Sequence, residues 1–269
     1  MANSLNLDEY LARIDYQGPL NPNVALLRDL HVAHATHIPF ENVDVLLGKP
    51  IALDLPNLET KLVTNRRGGY CFEQNTLFAA VLEQIGFTVT CLGARVRLGS
   101  TRVAPRTHML LLVKAEGKPF LADVGFGTDG FLDPIPLGVD AKIEQYGWFH
   151  RLEREGELWV LRTMIEGVWT DQYAFSLEEQ YPADYEVANF YTSAHPTSIF
   201  RQILVAQAQS TRGRLALHNS KLIEAAGSES QTSRTLAESE ILPILAERFG
   251  LRLPPGTRIP IAPSLTQLM

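Results

Sequence analysis

Ten residues, Arg66-Arg67-Gly68-Gly69-Tyr70-Cys71-Phe72-Glu73-Gln74-Asn75, constrain the fold more than any other stretch. The adjacent Gly68 and Gly69 let the backbone turn tightly and pass close to another group. From Phe78 onward the apolar residues Phe78, Val81, Leu82 and Ile85 recur at i, i+3, i+4 and i+7, which predicts a helix with a buried stripe. Gly86 stands where a left-handed C-terminal cap belongs. A helix that starts near Cys71 aims its unpaired N–H groups and the positive end of its dipole at the thiol, and so favours the thiolate.

Upstream the periodicity is helical. Asn6 caps a first helix, with Glu9 in the capping-box position and Leu7, Tyr10, Leu11 and Ile14 as its apolar stripe; Gly18-Pro19 ends it. Asn21 caps a second helix with Pro22 in its first position. Leu26, Leu27, Leu30 and Ala33 face inward, and Pro39 stops the run. Asn57 caps a shorter helix through Leu62. Residues 1–86 therefore read as a small helical bundle.

The pattern then changes. Phe87, Val89 and Cys91 alternate, Gly93 breaks the phase, and Val96 and Leu98 resume it, as in a bulged strand. Met109 to Val113 and Phe120 to Val124 read as buried strands. Leu158 to Ile165 and Val168 to Phe175 flank Glu166-Gly167, a two-residue hairpin signal. The region 87–180 is β-rich, with Trp148, Trp159 and Trp169 in its core or rim. The remainder, 181–269, is mixed. Tyr185 to Tyr191 reads as helix, and Ile203 to Ala206 and Arg214 to Leu217 as short strands. Ser228 to Ser233 reads as a loop or linker. Leu236, Ile241, Leu245 and Phe249 mark a final helix, disturbed at Pro243 and capped by Gly250, and Leu253 to Met269 an extended tail.

A cysteine nucleophile needs a base, and the base an orienting acceptor. His108 opens the strand Met109 to Val113, and Asp123 sits in the apolar Phe120-Leu121-Ala122-Asp123-Val124. A carboxylate there is costly unless paired or hydrogen-bonded. His108 and Asp123 on neighbouring strands satisfy each other with the imidazole turned toward Cys71. On residues alone a second reading stays open: with seven histidines in the chain, His108 is a strand-end histidine and Asp123 a turn or cap residue before Gly125.

Other chemistries fit less well. A net charge of −6 gives no general attraction to nucleic acid. Two cysteines, Cys71 and Cys91, are too few for a disulfide framework, and Cys91 in an alternating strand reads as a small buried hydrophobe. The opening residues lack the basic region and apolar run of a signal peptide, and no apolar stretch is of membrane-spanning length. The expectation is a soluble, cytoplasmic, reduced protein. His31, His34 and His37 stand three apart, but Pro39 ends their helix and no carboxylate–histidine motif follows. They read as core or partly exposed histidines, and no metal is expected.

Several motifs together resemble one family. The stretch Arg66 to Asn75, Thr107-His108, Asp123-Val124-Gly125-Phe126-Gly127, and upstream Ile38-Pro39-Phe40-Glu41-Asn42 with Asp44-Val45-Leu46-Leu47-Gly48, are similar in order and spacing to the arylamine N-acetyltransferases. The resemblance implies an α+β fold: an N-terminal helical bundle (1–86), a central β-barrel (87–180) and an interdomain helical segment with a C-terminal α/β lid (181–269), around a cysteine-protease-like Cys-His-Asp core. It implies that acetyl-CoA acetylates Cys71 and that an arylamine, arylhydrazine or N-hydroxyarylamine then takes the acetyl group, in ping-pong order and without metal. His108 is then the proton acceptor and Asp123 the residue that holds its tautomer. A free thiol with a pKa of ~8.5 is only a few per cent ionised at neutral pH, so a resting thiolate–imidazolium pair is expected. First-turn N–H groups of the Cys71 helix are candidates for the oxyanion. Phe126 lines the acceptor pocket with Phe40 and Val96, Val96 being equally readable as core. Gly125 and Gly127 let backbone approach the cofactor, and Arg67 either pairs with Glu41 beneath the site or is an exposed helix-end arginine. The same triad would also serve a macrolactam-forming amide synthase or a papain-like cysteine hydrolase, and a non-enzymatic ligand-binding relic is disfavoured by its intact residues. The resemblance leaves the oligomeric state and the physiological acceptor open.

Overall fold

The computed structural model describes residues 5–100, 102–127, 129–138, 142–228 and 231–260. Helix α1 (Leu7–Arg13) is capped by Asn6, whose side chain accepts the Glu9 N–H at 3.3 Å. It stops at Arg13, before Gly18, where the buried guanidinium donates to the Leu62 and His37 carbonyls. Helix α2 (Val24–His37) is capped by Asn23 and not by Asn21: the Asn23 side chain is the one that reaches a first-turn amide, the Leu26 N–H at 2.8 Å. Strand β1 (Phe40–Glu41) and helix α3 (Val43–Leu46) follow. Helix α4 (Leu55–Leu58) starts at Asp54, which takes the capping role expected of Asn57 by accepting the Asn57 N–H at 3.2 Å. It runs into a π-helical turn, Glu59–Thr64. Helix α5 (Cys71–Ile85) begins at the cysteine and ends at Gly86, in the left-handed region with φ +110°.

Eight antiparallel strands come next. They are β2 (Thr88–Val96), β3 (Arg106–Ala115), β4 (Lys118–Ala122), β5 (Ile135–Pro136), β6 (Ile143–Gln145), β7 (Trp148–Glu155), β8 (Leu158–Ile165) and β9 (Val168–Glu179). Their spatial order is β5-β4-β3-β2-β9-β8-β7-β6, so the sheet keeps two edges. The expected barrel is thus a sheet curled on itself with an open backbone ladder. Its two ends meet chiefly through Gln145 on β6, which accepts the Leu132 and Asp133 N–H groups and donates to the Asp133 carbonyl just before β5, with the Tyr146 hydroxyl adding a bond to the Asp133 carboxylate. The inner face closes on Leu92, Leu110, Leu121, Phe131, Leu161, Tyr173 and Phe175. On the other face Met109, Leu111 and Val113 pack with α5. Burial of β3 on both faces explains its unbroken apolar run. The bulge foreseen at Gly93 appears as register shifts around Ala94, and Glu166-Gly167 forms the two-residue turn with both φ angles positive.

Helix α6 (Pro182–Ala194) leads into β10 (Val205–Ser210), β11 (Gly213–His218), β12 (Lys221–Ala225) and β13 (Gln231–Thr235), with α7 (Glu238–Arg248) closing the order. β1 joins these strands as the edge partner of β10, so the second sheet takes one strand from the N-terminal third. Leu215, Leu217, Leu222, Ile241, Leu245 and Phe249 form the core beneath α7, which continues through Pro243. The polar run from Ser228 ends in β13 and is not wholly a loop: β13 is exposed at all five positions, so it pairs by backbone without an apolar alternation. Of the expected tail, residues beyond 260 lie outside the described residues. Among the described residues no helix is long and apolar enough to cross a membrane.

The turn before α5 is held by charge and by close packing. Arg67 Nη2 pairs with Glu41 Oε1 at 2.5 Å and lies 3.5 Å from Asp44, while Lys61 bridges Asp44 (3.1 Å) and Glu73 (2.7 Å). The Glu41 side chain is wholly buried. The glycines serve approach and not a positive φ: a Cβ on Gly68 would sit 2.2 Å from the Pro39 carbonyl oxygen. There the loop runs beside residues 39–41, with the Glu41 N–H on the Gly69 carbonyl at 3.1 Å. Removing one partner of a buried pair leaves an uncompensated charge. Arg67→Met is therefore expected to cost about 3–5 kcal/mol in urea denaturation, and adding Glu41→Met to recover part of that loss.

Candidate active site

The register of β3 and β4 sets the geometry. Leu111 pairs with Ala122, so Asp123, one residue on, stands opposite Leu110 and on the same face as His108. His108 Nε2–H donates to Asp123 Oδ2 at 2.7 Å, with both side chains almost fully buried. The Cys71 thiol acts on the same imidazole and helps to raise its pKa. Cys71 is buried at the first position of α5, its Sγ 3.6 Å from the Thr107 carbonyl oxygen. The first-turn N–H groups of α5 have no intrahelical acceptors and point to the same end.

Burial by itself would lower the pKa of His108. The Asp123 carboxylate outweighs it through charge and hydrogen bond, with Cys71 adding in the same direction, and raises it from the usual 6.5 to about 10. Burial would push Asp123 up, but the charge of His108 and the donors around it hold the carboxyl below its usual 3.8. Those donors include Asn75, to which the sequence assigned no role, and the backbone of Gly125, which it assigned to the approach of the cofactor. Asn75, one helical turn after Cys71, donates to Asp123 Oδ1 at 3.0 Å and to the Met109 carbonyl at 2.7 Å, and accepts the Val124 N–H at 3.1 Å. The Gly125 N–H donates to Asp123 Oδ1 at 3.0 Å. Spacing carried a signal for Asn75, since i and i+4 share a helix face.

Phe126 lies edge-on to His108 (ring centroids 4.9 Å apart) and to Tyr173 (4.8 Å). Tyr173, on β9, also packs 4.9 Å from His108 and had no signal in its strand pattern. Val96 pairs with Tyr173 at the end of β2. Phe40 packs on Phe200 with centroids 5.9 Å apart, and no ring contact joins it to Phe126 among the described residues. Gly125 and Gly127 each have a reason within the protein for lacking a side chain. A Cβ on Gly125 would lie 2.7 Å from the Cys71 Cα, and Gly127 has φ +92° with a Cβ position 1.7 Å from Gln207 Oε1. Arg67 and Glu41 pair beneath the site.

The three histidines of α2 are spread among different partners. His31 and His34 are buried and bonded to Leu132, Asp123, Tyr10 and Gln74, while His37 is exposed. Burial pushes the half-buried Cys91 thiol up to about 11, away from nucleophilic use at neutral pH.

Comparison with known proteins adds independent weight. A family model described as N-acetyltransferase matches residues 23–258. An arylamine N-acetyltransferase of Escherichia coli is 40% identical over 248 residues, 91% of this chain and 88% of that protein. The solved arylamine N-acetyltransferase of Nocardia farcinica superposes with a TM-score of 0.89 at 40% identity, covering 93% of this chain and 90% of its own. The Mycobacterium marinum arylamine N-acetyltransferase, solved in complex with CoA, gives 0.88 at 34% identity, covering 91% and 93%.

The charges make a pH prediction. A histidine raised from 6.5 contributes stability that is complete below 6.5 and lost as pH climbs through about 10. The depressed Asp123 contributes above 3.8 and loses its contribution as pH falls below it. Urea midpoints of the wild type are expected to decline between pH 6.5 and about 10. Asp123→Asn should flatten that decline.

Proposed function

Since the chain belongs to the arylamine N-acetyltransferase family, we propose that it moves an acetyl group from acetyl-CoA to the nitrogen of an arylamine, arylhydrazine or N-hydroxyarylamine through an acetyl-Cys71 intermediate. The observation that carries this reading is the buried His108–Asp123 bond at 2.7 Å, on an imidazole whose pKa Cys71 also raises. The CoA-bound relative supports acetyl-CoA as the donor.

In the first half-reaction the Cys71 sulfur attacks the thioester carbonyl. N–H groups at the start of α5 face the developing oxyanion. The tetrahedral adduct collapses with loss of the CoA sulfur, which takes the proton held on His108 and leaves as free CoA. In the second, the amine nitrogen attacks the acetyl-Cys71 carbonyl and gives its proton to the now neutral His108. Collapse expels the Cys71 thiolate, and the product amide departs with the thiolate–imidazolium pair restored. Asp123 holds the imidazole tautomer and stabilises its charged form throughout. Phe126, backed by the buried Tyr173, gives the acceptor ring an aromatic wall beside His108, with Phe40 and Val96 as outer members of the pocket. In the same reading residues 1–86 present the thiol, 87–180 supply His108 and Asp123, and 181–269 form the connecting helix and lid. Gly125 and Gly127 shape the backbone along which the donor lies, and the setting is the cytoplasm.

Incubation with acetyl-CoA alone is expected to add the mass of one acetyl group to the peptide that carries Cys71, and addition of an arylamine to discharge it. Cys71→Ala should abolish both steps, and His108→Ala should slow turnover by about 10²–10⁴-fold. Fast turnover with Cys71 never modified would overturn the proposal.

A further inference from the structure

His31 is wholly buried, and both nitrogens of its ring are in use. The Leu132 carbonyl can only accept, so His31 Nδ1 carries the proton and donates to it at 2.7 Å. Nε2 is then the lone-pair nitrogen, and it accepts the Asp123 N–H at 2.9 Å. These partners are the two ends of one segment, which starts at the carboxylate facing His108 and carries Gly125-Phe126-Gly127. The ring plane is fixed as well. It stacks on Phe131 with centroids 5.5 Å apart and meets the edge of Phe78, on the cysteine helix, at 5.8 Å.

We propose that His31 is a positioning residue, a neutral imidazole that clips both ends of the 123–132 segment so that Asp123 stays in line with His108 and Phe126 stays edge-on to it. Four interactions hold Asp123, three of them from separate elements and one from its own segment. His108 on β3 holds Oδ2, Asn75 on α5 and the Gly125 N–H hold Oδ1, and His31 on α2 holds the backbone. The His31 contact alone also reaches the far end of the segment. Burial favours the neutral ring, lowering its pKa to about 4 against the pull of Asp123 and Asp133, the acids that face it. His34 is its titratable neighbour on α2. Around His108 the titratable groups are Asp123, Cys71 and Tyr173.

The inference rests on Cys71, His108 and Asp123 working as one unit. Its test uses no acetyl donor, so failure of acetyl transfer and failure of positioning are separate results. The probe is iodoacetamide, and the readout is the pH profile of Cys71 alkylation in folded wild type, His31→Phe, His31→Gln and His31→Asn. Glutamine can place its amide oxygen near the Nε2 position and keep the Asp123 N–H bonded. Asparagine reaches only the Leu132 side. The expected result is a wild-type profile for His31→Gln and a shift of about one unit to higher pH, roughly tenfold slower alkylation on the rising limb, for His31→Asn and His31→Phe. A wild-type profile in His31→Asn, or equal shifts in His31→Gln and His31→Asn, overturns the proposal. If the variants fail to fold, nitrogen NMR of the wild type decides. An unprotonated Nε2 coupled to the Asp123 amide supports the clip, and a protonated Nε2 removes it.

Discussion

The bond between His108 and Asp123 places a carboxylate and an imidazole, each 3% exposed, where water cannot solvate them. Such a pair persists only if every remaining lone pair and proton is met. The surrounding structure follows from that requirement. Asp123 Oδ1 takes donors from Asn75 and from the Gly125 backbone, and Asn75 lies one turn along the helix from Cys71. The same helix face that presents the thiol therefore also satisfies the carboxylate, which ties the rotation of α5 to the register of β3 against β4. The close approach of Gly125 to the Cys71 Cα is the steric side of that arrangement.

Beneath the cysteine, the turn at Gly68-Gly69 is pinned between a backbone path and a charge cluster. Glu73 caps the Tyr70 N–H at 3.1 Å while paired to Lys61, and Gln74 donates to the Gly69 carbonyl at 2.8 Å. A further chain runs from the Tyr10 hydroxyl through His34 to Gln74, so even α1 bears on the loop before Cys71. With these groups set in advance, little reorganisation is left for the moment of reaction.

Much of this was legible in the residues. Helical stripes, the glycine at the end of α5 and the Glu166-Gly167 hairpin each follow from a local rule with one strong solution, whereas the His108–Asp123 pairing was one of two readings that the residues left open, and the folded chain takes it. What was not legible has a common physical cause: it depends on partners far along the chain. Asn21 followed by Pro22 reads as the cap on paper, and only the folded chain gives that role to Asn23, whose side chain meets the Leu26 N–H. β13 has no apolar alternation because its pairing with β12 is by backbone at an exposed edge. β1 is two residues long and becomes a strand only because β10 arrives beside it. His31 looked like one of three spaced histidines, whereas its meaning lies in Leu132 and Asp123, about a hundred residues away.

The buried Asp123 carboxylate favours a charged His108 beside Cys71. The most direct measurement is an NMR titration of the His108 ring nitrogens in the wild-type protein. The expected result is a ring that stays protonated through neutrality and releases its proton near pH 10. A ring that titrates near its usual 6.5 would contradict the account.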